Sequence, residues 1–201
     1  MRGSIAEAGG RPRRRTTIQS ARLRLSPPES GDYGAWRALR LGSEDHLRPW
    51  EPVWAADATL PSGWRRAMDM WKEAWRSGRS YAFLIWRLGD NALLGGVTLS
   101  NVRYGNAMTA SIGYWLGAAH TGQGYMAESV ASICRWAFLE VGLERIEAAA
   151  LPANDASRKV LTATGFEEEG FARDYLQIAG KREDHVLYGL SKRAWRRHQD
   201  A

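Results

Sequence analysis

A Gly-x-Gly sequence at the predicted start of a helix is the feature of this chain best suited to chemistry. Gly122, Gln123 and Gly124 follow a strand-like run and precede residues at helical spacing, which begin with Tyr125 and Met126. Glycine lets the backbone adopt positive φ angles and approach a ligand closely. The first N–H groups of a helix lack internal partners and carry partial positive charge, so they bind anions such as phosphate. The pattern predicts a phosphate site, and a plain turn with nothing bound is the alternative.

Two familiar nucleotide-binding patterns and a metal centre are not expected here. No Gly-Lys-Ser or Gly-Lys-Thr follows the glycines, so the loop is not a Walker A loop. The strands before it look antiparallel, which argues against the dinucleotide fingerprint of a parallel sheet. The histidines at 46, 120, 185 and 198 stand far apart, and one cysteine cannot build a cysteine-rich cluster. That residue, Cys134, lies on an inward helix face and is expected in the core rather than as a nucleophile.

Hydrophobic periodicity predicts the elements that position the glycine segment. The predicted strands span 21–26, 81–88, 92–104, 108–116, 145–151, 166–177 and 185–190. The predicted helices cover approximately 33–40, 61–76, 125–141 and 154–164, with a short basic helix around Trp195. One face of the second helix is apolar and is expected to be core rather than a binding platform: Trp64, Met68, Trp71 and Trp75. Between the second and third of these helices, the strands read as an antiparallel meander. Gly95-Gly96 within it predicts a bulge or a close backbone approach.

The net charge of +6 is concentrated at the ends of the chain. Residues 1–20 lack apolar periodicity, so we predict a disordered basic tail there, one domain over 21–191, and a short basic helix or tail over 192–201. A nucleic-acid-binding arm is the alternative for the first tail. No apolar run typical of a secretory signal or a membrane span is present. We therefore expect a cytoplasmic monomer or homodimer without membrane contact.

Short motifs in a fixed order resemble the GNAT superfamily of acetyl-CoA-dependent N-acetyltransferases, and most of all its RimJ/RimL-like branch. They are LRPW (47–50), GYWL (113–116), GQGY (122–125), GLERIE (142–147), NDAS (154–157), GF (165–166), EG (169–170) and DH (184–185). The likeness extends over about 23–190. It implies an α/β (α+β) fold with a mixed, mostly antiparallel sheet of six to seven strands, flanked by about four helices. Two of the strands would splay into a V-shaped notch.

The resemblance also implies where acetyl-CoA would bind, without a metal. The diphosphate would rest on the N–H groups of residues 122–126. Three residues would pair through their backbone with the pantetheine arm: Tyr114, Trp115 and Leu116. Asn154 would reach the same arm, and Ser157 would point its hydroxyl at the sulfur. The alternative is that Asn154 only caps a helix and Ser157 only occupies its first turn.

The implied reaction is direct acetyl transfer to a primary amine, without a covalent enzyme intermediate. Ser157 is the expected general acid for the leaving thiolate, with Tyr114 as the second candidate. A strong base is less necessary for an N-terminal α-amine, since its pKa lies near ~8. Two positions depart from the family pattern. Thr121 stands where Gln or Arg is usual, and Leu176 aligns with a glutamate proposed as general base in RimL-like enzymes, so that role is not carried over.

The acceptor side is expected in the proline-rich loop that follows the first helix. Arg48, Trp50 and Glu51 combine a cation, an aromatic ring and an anion, and Glu51 or Glu44 would hold the incoming ammonium group. A structural Pro-Trp corner is the alternative. We expect the acceptor to be a protein N-terminus, as in a ribosomal protein, with ribosome contact. A small amine (an antibiotic, polyamine or amino acid) is the alternative substrate. An RNA- or ribosome-binding module without acetyl-CoA affinity is the alternative outside enzymes.

Overall fold

An eight-stranded sheet runs through the computed structural model, which describes residues 16–199. Its strand order is β1-β2-β3-β4-β5-β6-β8-β7. The strands are β1 (Ile18–Gln19), β2 (Leu23–Ser26), β3 (Tyr81–Arg87), β4 (Leu93–Arg103), β5 (Thr109–Leu116), β6 (Arg145–Ala150), β7 (Glu167–Ile178) and β8 (Lys181–Ser191). Every neighbouring pair is antiparallel except β5 and β6, which are parallel.

Helices cover both faces of this sheet. They are α1 (Tyr33–Leu41), α2 (Glu44–Leu47), α3 (Pro61–Ser77), α4 (Tyr125–Trp136), α5 (Asp155–Ala163) and α6 (Lys192–Gln199). A π-helical turn, Ala137–Val141, continues α4. Helix α3 begins with Pro61 and ends at Gly78 in the left-handed conformation (φ 71°), as expected for these residues at helix ends.

The alternation along β3 shows how the two layers form. Tyr81, Phe83 and Ile85 point to the core that contains α4, α5 and α6. Leu84 and Trp86 point the other way, into a smaller core with residues of α1 and α3. Because successive strand residues face opposite sides, one strand supplies both cores. The apolar stripe predicted on α3 is confirmed as core, since Trp64, Met68 and Trp75 are buried and Trp71 packs beside them.

A notch opens between the two parallel strands. β5 and β6 pair only through Thr109–Arg145, Ala110–Ile146 and Ser111–Glu147. Beyond these pairs, β5 stays with β4 as far as Leu116, and β6 stays with β8 as far as Ala150. The two strands therefore diverge, and the backbone of residues 112–116 has no strand partner on its β6 side. Such an edge offers N–H and C=O groups to an extended ligand.

The predicted strands and longer helices are confirmed, with three corrections. Within residues 16–199, the sheet has eight strands rather than six to seven, and there are six α-helices rather than about four. Residues 18–19 form β1 within the predicted tail, because Ile18 pairs with Leu25 and packs against the main core. The remaining tail residues 1–15, and residues 200–201, lie outside the described part of the chain. Among residues 16–199, no helix is long and apolar enough to cross a membrane.

Candidate active site

Two hydroxyl groups meet across the notch. The phenol oxygen of Tyr114 on β5 lies 3.0 Å from Ser157 Oγ and 3.3 Å from the Ser157 carbonyl oxygen on α5. Burial raises the pKa of Tyr114 to about 12, although the hydrogen bond with Ser157 acts to lower it. Tyr114 is therefore neutral near pH 7 and can donate to Ser157. When it does, the Ser157 hydroxyl hydrogen is free to point into the notch.

Asn154 fixes the position of Ser157. Its Oδ1 atom accepts a hydrogen bond from the Ser157 backbone N–H at 3.0 Å, which caps α5. The predicted cap is thus confirmed. The Asn154 side-chain NH₂ group donates no hydrogen bond to any residue between 16 and 199, so the same amide can still donate to a ligand while its oxygen caps the helix.

The glycine loop after β5 has the shape of an anion cradle. Gly122 and Gly124 adopt left-handed φ angles of 72° and 77°, and Gly124 is the N-cap of α4. A Cβ atom placed on Gly122 would meet nothing within 4 Å, so the space beside the backbone is open. The first helical bond of α4 is from the Glu128 N–H to the Gly124 carbonyl, at 3.1 Å. The N–H groups before Glu128 therefore have no helical acceptor, and they fit the diphosphate of a coenzyme A ligand.

The opposite face of β5 is built around an ion pair between buried Arg40 and partly buried Glu51. The Arg40 guanidinium lies 4.2 Å from the ring centre of Trp54 and 4.8 Å from that of Trp115. Its NH1 and NH2 groups donate to the two oxygens of Glu51 at 2.8 and 2.5 Å. Trp54 Nε1 donates to the same carboxylate at 2.7 Å. β4 approaches β5 closely here, because a Cβ atom on Gly96 would lie 2.7 Å from the Trp115 indole nitrogen.

The proline-rich loop spans two sides of the notch. Glu51 contacts β5 indirectly through Arg40, and its carbonyl accepts a hydrogen bond from the Ala179 N–H in the β7–β8 turn at 2.9 Å. Arg48 pairs with Glu44 four residues before it, and the Trp50 side chain is 36% exposed. Since Glu51 is held by a guanidinium and an indole N–H, it is a partner of Arg40 rather than an unpaired anion.

Two carboxylates near the notch in sequence, and the Leu176 position, lie in different surroundings. Glu169 pairs with Arg145, which lowers the pKa of that carboxyl group. Asp174 is exposed at an irregular position of β7, where its φ is 48°. Leu176 is 45% exposed. Within the described residues, no group of acidic, histidine or cysteine side chains could hold a metal ion.

Cys134 is confirmed as a core residue. Its side chain is buried, and burial raises the pKa of its thiol. A buried neutral thiol is a poor nucleophile, since the thiolate is the reactive form.

Sequence reasoning did not identify Arg22, Arg40 or Trp54 as neighbours of the site. Arg40 contacts Trp115 on β5 only because α1 folds across that strand, and this contact joins distant parts of the chain. Trp54 is added to the cluster through its contact with Arg40. One signal in the sequence could have indicated a buried cation: Arg40 stands next to Leu39, near the apolar face of the predicted helix 33–40.

Comparisons with known proteins point to one family. A family model described as an acetyltransferase (GNAT) domain matches residues 22–167. The [Ribosomal protein uS5]-alanine N-acetyltransferase of Escherichia coli is 34% identical over 82% of this chain and 86% of its own. The solved structure of Mycobacterium smegmatis RimJ in complex with CoA-disulfide has a TM-score of 0.85 at 32% identity, covering 92% of this chain and 94% of the other. The Vibrio fischeri ribosomal-protein-S5-alanine acetyltransferase has a TM-score of 0.83 at 29% identity, covering 90% and 98%.

These matches extend over most of both chains, and the notch, glycine loop and hydroxyl pair lie within or beside the region matched by the family model. The chain therefore belongs to the acetyltransferase (GNAT) family, in its RimJ/RimL-like branch, and is an acetyl-CoA-dependent N-acetyltransferase.

Proposed function

We propose that this chain acetylates the N-terminal α-amine of a ribosomal protein. The observation that carries the proposal is the similarity, over most of both chains, to a relative named for acting on the alanine of ribosomal protein uS5. The loop 48–54 supports it, because it forms a partly exposed wall beside Trp115 on the face of β5 opposite Tyr114. A short peptide N-terminus can enter along such a wall while the donor occupies the notch.

The donor site is proposed from the open edges of the structure. The β5 backbone at Tyr114, Trp115 and Leu116 would pair with the pantetheine arm, since β6 leaves that edge free. The N–H groups of residues 122–126 would hold the diphosphate, and the free amide NH₂ of Asn154 would donate to the arm. Acetyl-CoA supplies an activated acetyl thioester when it is bound there.

Proton movement is assigned to the hydroxyl pair. Tyr114 donates to Ser157, which leaves the Ser157 hydroxyl to donate its hydrogen to the thiolate that leaves. The attacking nitrogen loses one proton as the amide forms, and that proton returns through water to restore the Ser157 hydroxyl. A backbone N–H of the free β5 edge would stabilise negative charge on the carbonyl oxygen. The α-amine needs little help, because a useful fraction is neutral at physiological pH when its pKa is near ~8.

On the acceptor side, the structure suggests two kinds of role. Trp50 is exposed enough to pack against the first residues of a peptide, and Arg48 and Glu44 offer a charged rim. The bidentate pairing of Glu51 with Arg40 keeps Trp54 and Trp115 in place, so that Glu51 shapes the acceptor wall.

A peptide assay tests the proposal. The purified chain is mixed with acetyl-CoA and a synthetic peptide that carries the N-terminal sequence of uS5 and one internal lysine, and products are located by mass spectrometry. We expect one acetyl group on the α-amine. The matched control is the same peptide with a blocked N-terminus, which should not react. Faster turnover of spermidine or an aminoglycoside than of any N-terminal peptide would contradict the proposal and favour a small-amine acceptor.

A further inference from the structure

A short segment between β1 and β2 is attached to the first turn of α4. The Glu128 carboxylate accepts hydrogen bonds from Ser20 Oγ at 2.7 Å, from the Arg22 backbone N–H at 2.9 Å and from Arg22 Nε at 2.7 Å. Burial acts to raise the pKa of Glu128, but these hydrogen bonds and the Arg22 charge outweigh it, and the pKa is lowered. Glu128 is therefore ionised at neutral pH and holds Arg22 in one orientation.

The Arg22 guanidinium extends from Glu128 over the glycine loop. Its NH1 group donates to the Gln123 carbonyl at 3.1 Å, and its Cζ atom lies 4.6 Å from the centre of the Tyr125 ring. Its NH2 atom lies 3.4 Å from the position that a Cβ atom would take on Gly124. The guanidinium thus contacts three successive residues at the start of α4, Gln123, Gly124 and Tyr125.

One part of this guanidinium is left for a ligand. Nε donates to Glu128 and NH1 donates to Gln123, whereas NH2 makes no hydrogen bond to any residue within 16–199. The side chain is 48% exposed. A guanidinium carries five N–H donors in a fixed plane, so pinning two of its nitrogens also fixes the direction of the third. That third nitrogen lies beside the N–H groups that fit a diphosphate.

We propose that Arg22 is a binding and positioning residue for the diphosphate of acetyl-CoA. It holds the Gln123 carbonyl, and with it the left-handed conformation of the loop, and it presents NH2 to a phosphoryl oxygen. The proposal rests on the placement of the diphosphate at residues 122–126 in the proposed function. Charge-assisted hydrogen bonds to phosphate are stronger than neutral ones, and the neighbouring Glu128 offsets the net charge without occupying NH2.

Arg24, two residues further along the chain in β2, provides a matched control. Its NH2 group donates to Asn91 Oδ1 at 2.9 Å, and its guanidinium lies 5.3 Å from the centre of the Trp86 ring. Replacing Arg24 by methionine therefore removes the same positive charge and a similar contact with an aromatic ring. The contacts of Arg24 with Asn91 and Trp86 do not involve the glycine loop.

The test compares two acetyl donors on four proteins: the wild type, Arg22→Met, Arg22→Lys and Arg24→Met. One donor is acetyl-CoA, and the other is S-acetylpantetheine, which lacks the diphosphate and the nucleotide. We expect Arg22→Met to raise the Kd for acetyl-CoA by about tenfold or more, as for loss of one hydrogen bond to a charged group. We expect unchanged kcat/KM with S-acetylpantetheine, an intermediate Kd for Arg22→Lys, and wild-type values for Arg24→Met.

The outcomes separate this proposal from the one on which it rests. If the wild type binds both donors equally well, the diphosphate does not occupy the glycine loop, and both proposals fail. If the wild type prefers acetyl-CoA but Arg22→Met matches Arg24→Met, only the role of Arg22 fails. Equal losses with both donors would show that Arg22 is merely structural. If Arg22→Met does not fold, the same two donors are compared on Arg22→Lys, which retains the charge beside Glu128.

Discussion

Replacing Ser157 by alanine tests the hydroxyl pair most directly. Ser157 Oγ lies 3.0 Å from the Tyr114 hydroxyl, and its backbone N–H is the donor to the Asn154 cap. Alanine removes only the hydroxyl, because the cap uses the main chain of residue 157. Tyr114 also retains the Ser157 carbonyl oxygen at 3.3 Å as an acceptor. The fold should therefore lose only about 1 kcal/mol, the usual net value of one hydrogen bond.

The expected effect on catalysis is larger. General-acid help is typically worth ~10²–10⁴-fold in rate, and we expect the lower end, about a hundredfold fall in kcat. A thiolate with a free pKa near ~8.5 is a tolerable leaving group, so a proton donor helps without being indispensable. In addition, the Tyr114 hydroxyl loses its contact with Oγ, and it can exchange its remaining acceptor, the carbonyl oxygen of residue 157, for the sulfur. Affinity for acetyl-CoA should be nearly unchanged, because the backbone of β5 and the glycine loop are untouched.

The assay is single-turnover acetyl transfer to the N-terminal peptide, followed by release of free thiol, with affinity measured separately by calorimetry. Thr162→Val is a suitable control, since Thr162 lies on the same helix but its hydroxyl donates to the Arg158 carbonyl on an exposed position. That variant should react at the wild-type rate. A Ser157→Ala enzyme that reacts as fast as the wild type in single turnover would refute the assignment of Ser157 as proton donor.

Three further outcomes are expected. Gly124→Asp should abolish most acetyl-CoA binding while Gly124→Asn, equal in shape and also tolerant of left-handed φ, loses far less; equal losses would mean that no anion binds there. Asn154→Ala should raise the KM for acetyl-CoA and lower the free energy of unfolding by ~1 kcal/mol in chemical denaturation. If neither the KM nor the free energy of unfolding changes, Asn154 neither contacts the donor nor stabilises α5 as its cap. Because the folded pKa of Tyr114 is raised from about 10 to about 12, its neutral form contributes stability that is fully present below pH 10 and is lost as pH rises through 12. Tyr114→Phe should remove that alkaline loss in pH-dependent melting, whereas Phe in place of the exposed Tyr175 should not.

The sequence carried the information for elements whose signals are local. The Gly-x-Gly turn, the Asn154 cap and the stripe Trp64–Met68–Trp75 depend on residues close together in the chain, and each is found where it was predicted. The close approach predicted at Gly95-Gly96 is found as well, because a Cβ atom on Gly95 would collide with the Trp115 carbonyl.

Features that depend on tertiary contacts were missed or incomplete. The strand β1 has two residues, too few for a period to show, and it exists because Ile18 pairs with Leu25. Arg40 and Glu51 form an ion pair. From sequence, Arg40 is only one residue of a predicted helix and Glu51 only an anion in a loop, so nothing in the local pattern pairs them. The prediction that Glu51 or Glu44 holds the incoming ammonium group did not include the Arg40 guanidinium, because periodicity does not show which side chain will lie opposite another. It stays a prediction.

The short junction of β5 with β6 links ligand binding to the melting of the whole domain. Within the described strands, three residue pairs are the only sheet contact between residues 18–116 and residues 145–191. A pantetheine arm lying in the notch would act as a strand inserted between these two half-sheets, and it would bind the folded chain but not the unfolded one. By mass action, a donor at a hundred times its Kd adds about 2.7 kcal/mol to the free energy of unfolding. The donor would thereby complete the sheet that binds it. When acetyl-CoA is depleted, the two half-sheets would be joined only by the three residue pairs between β5 and β6.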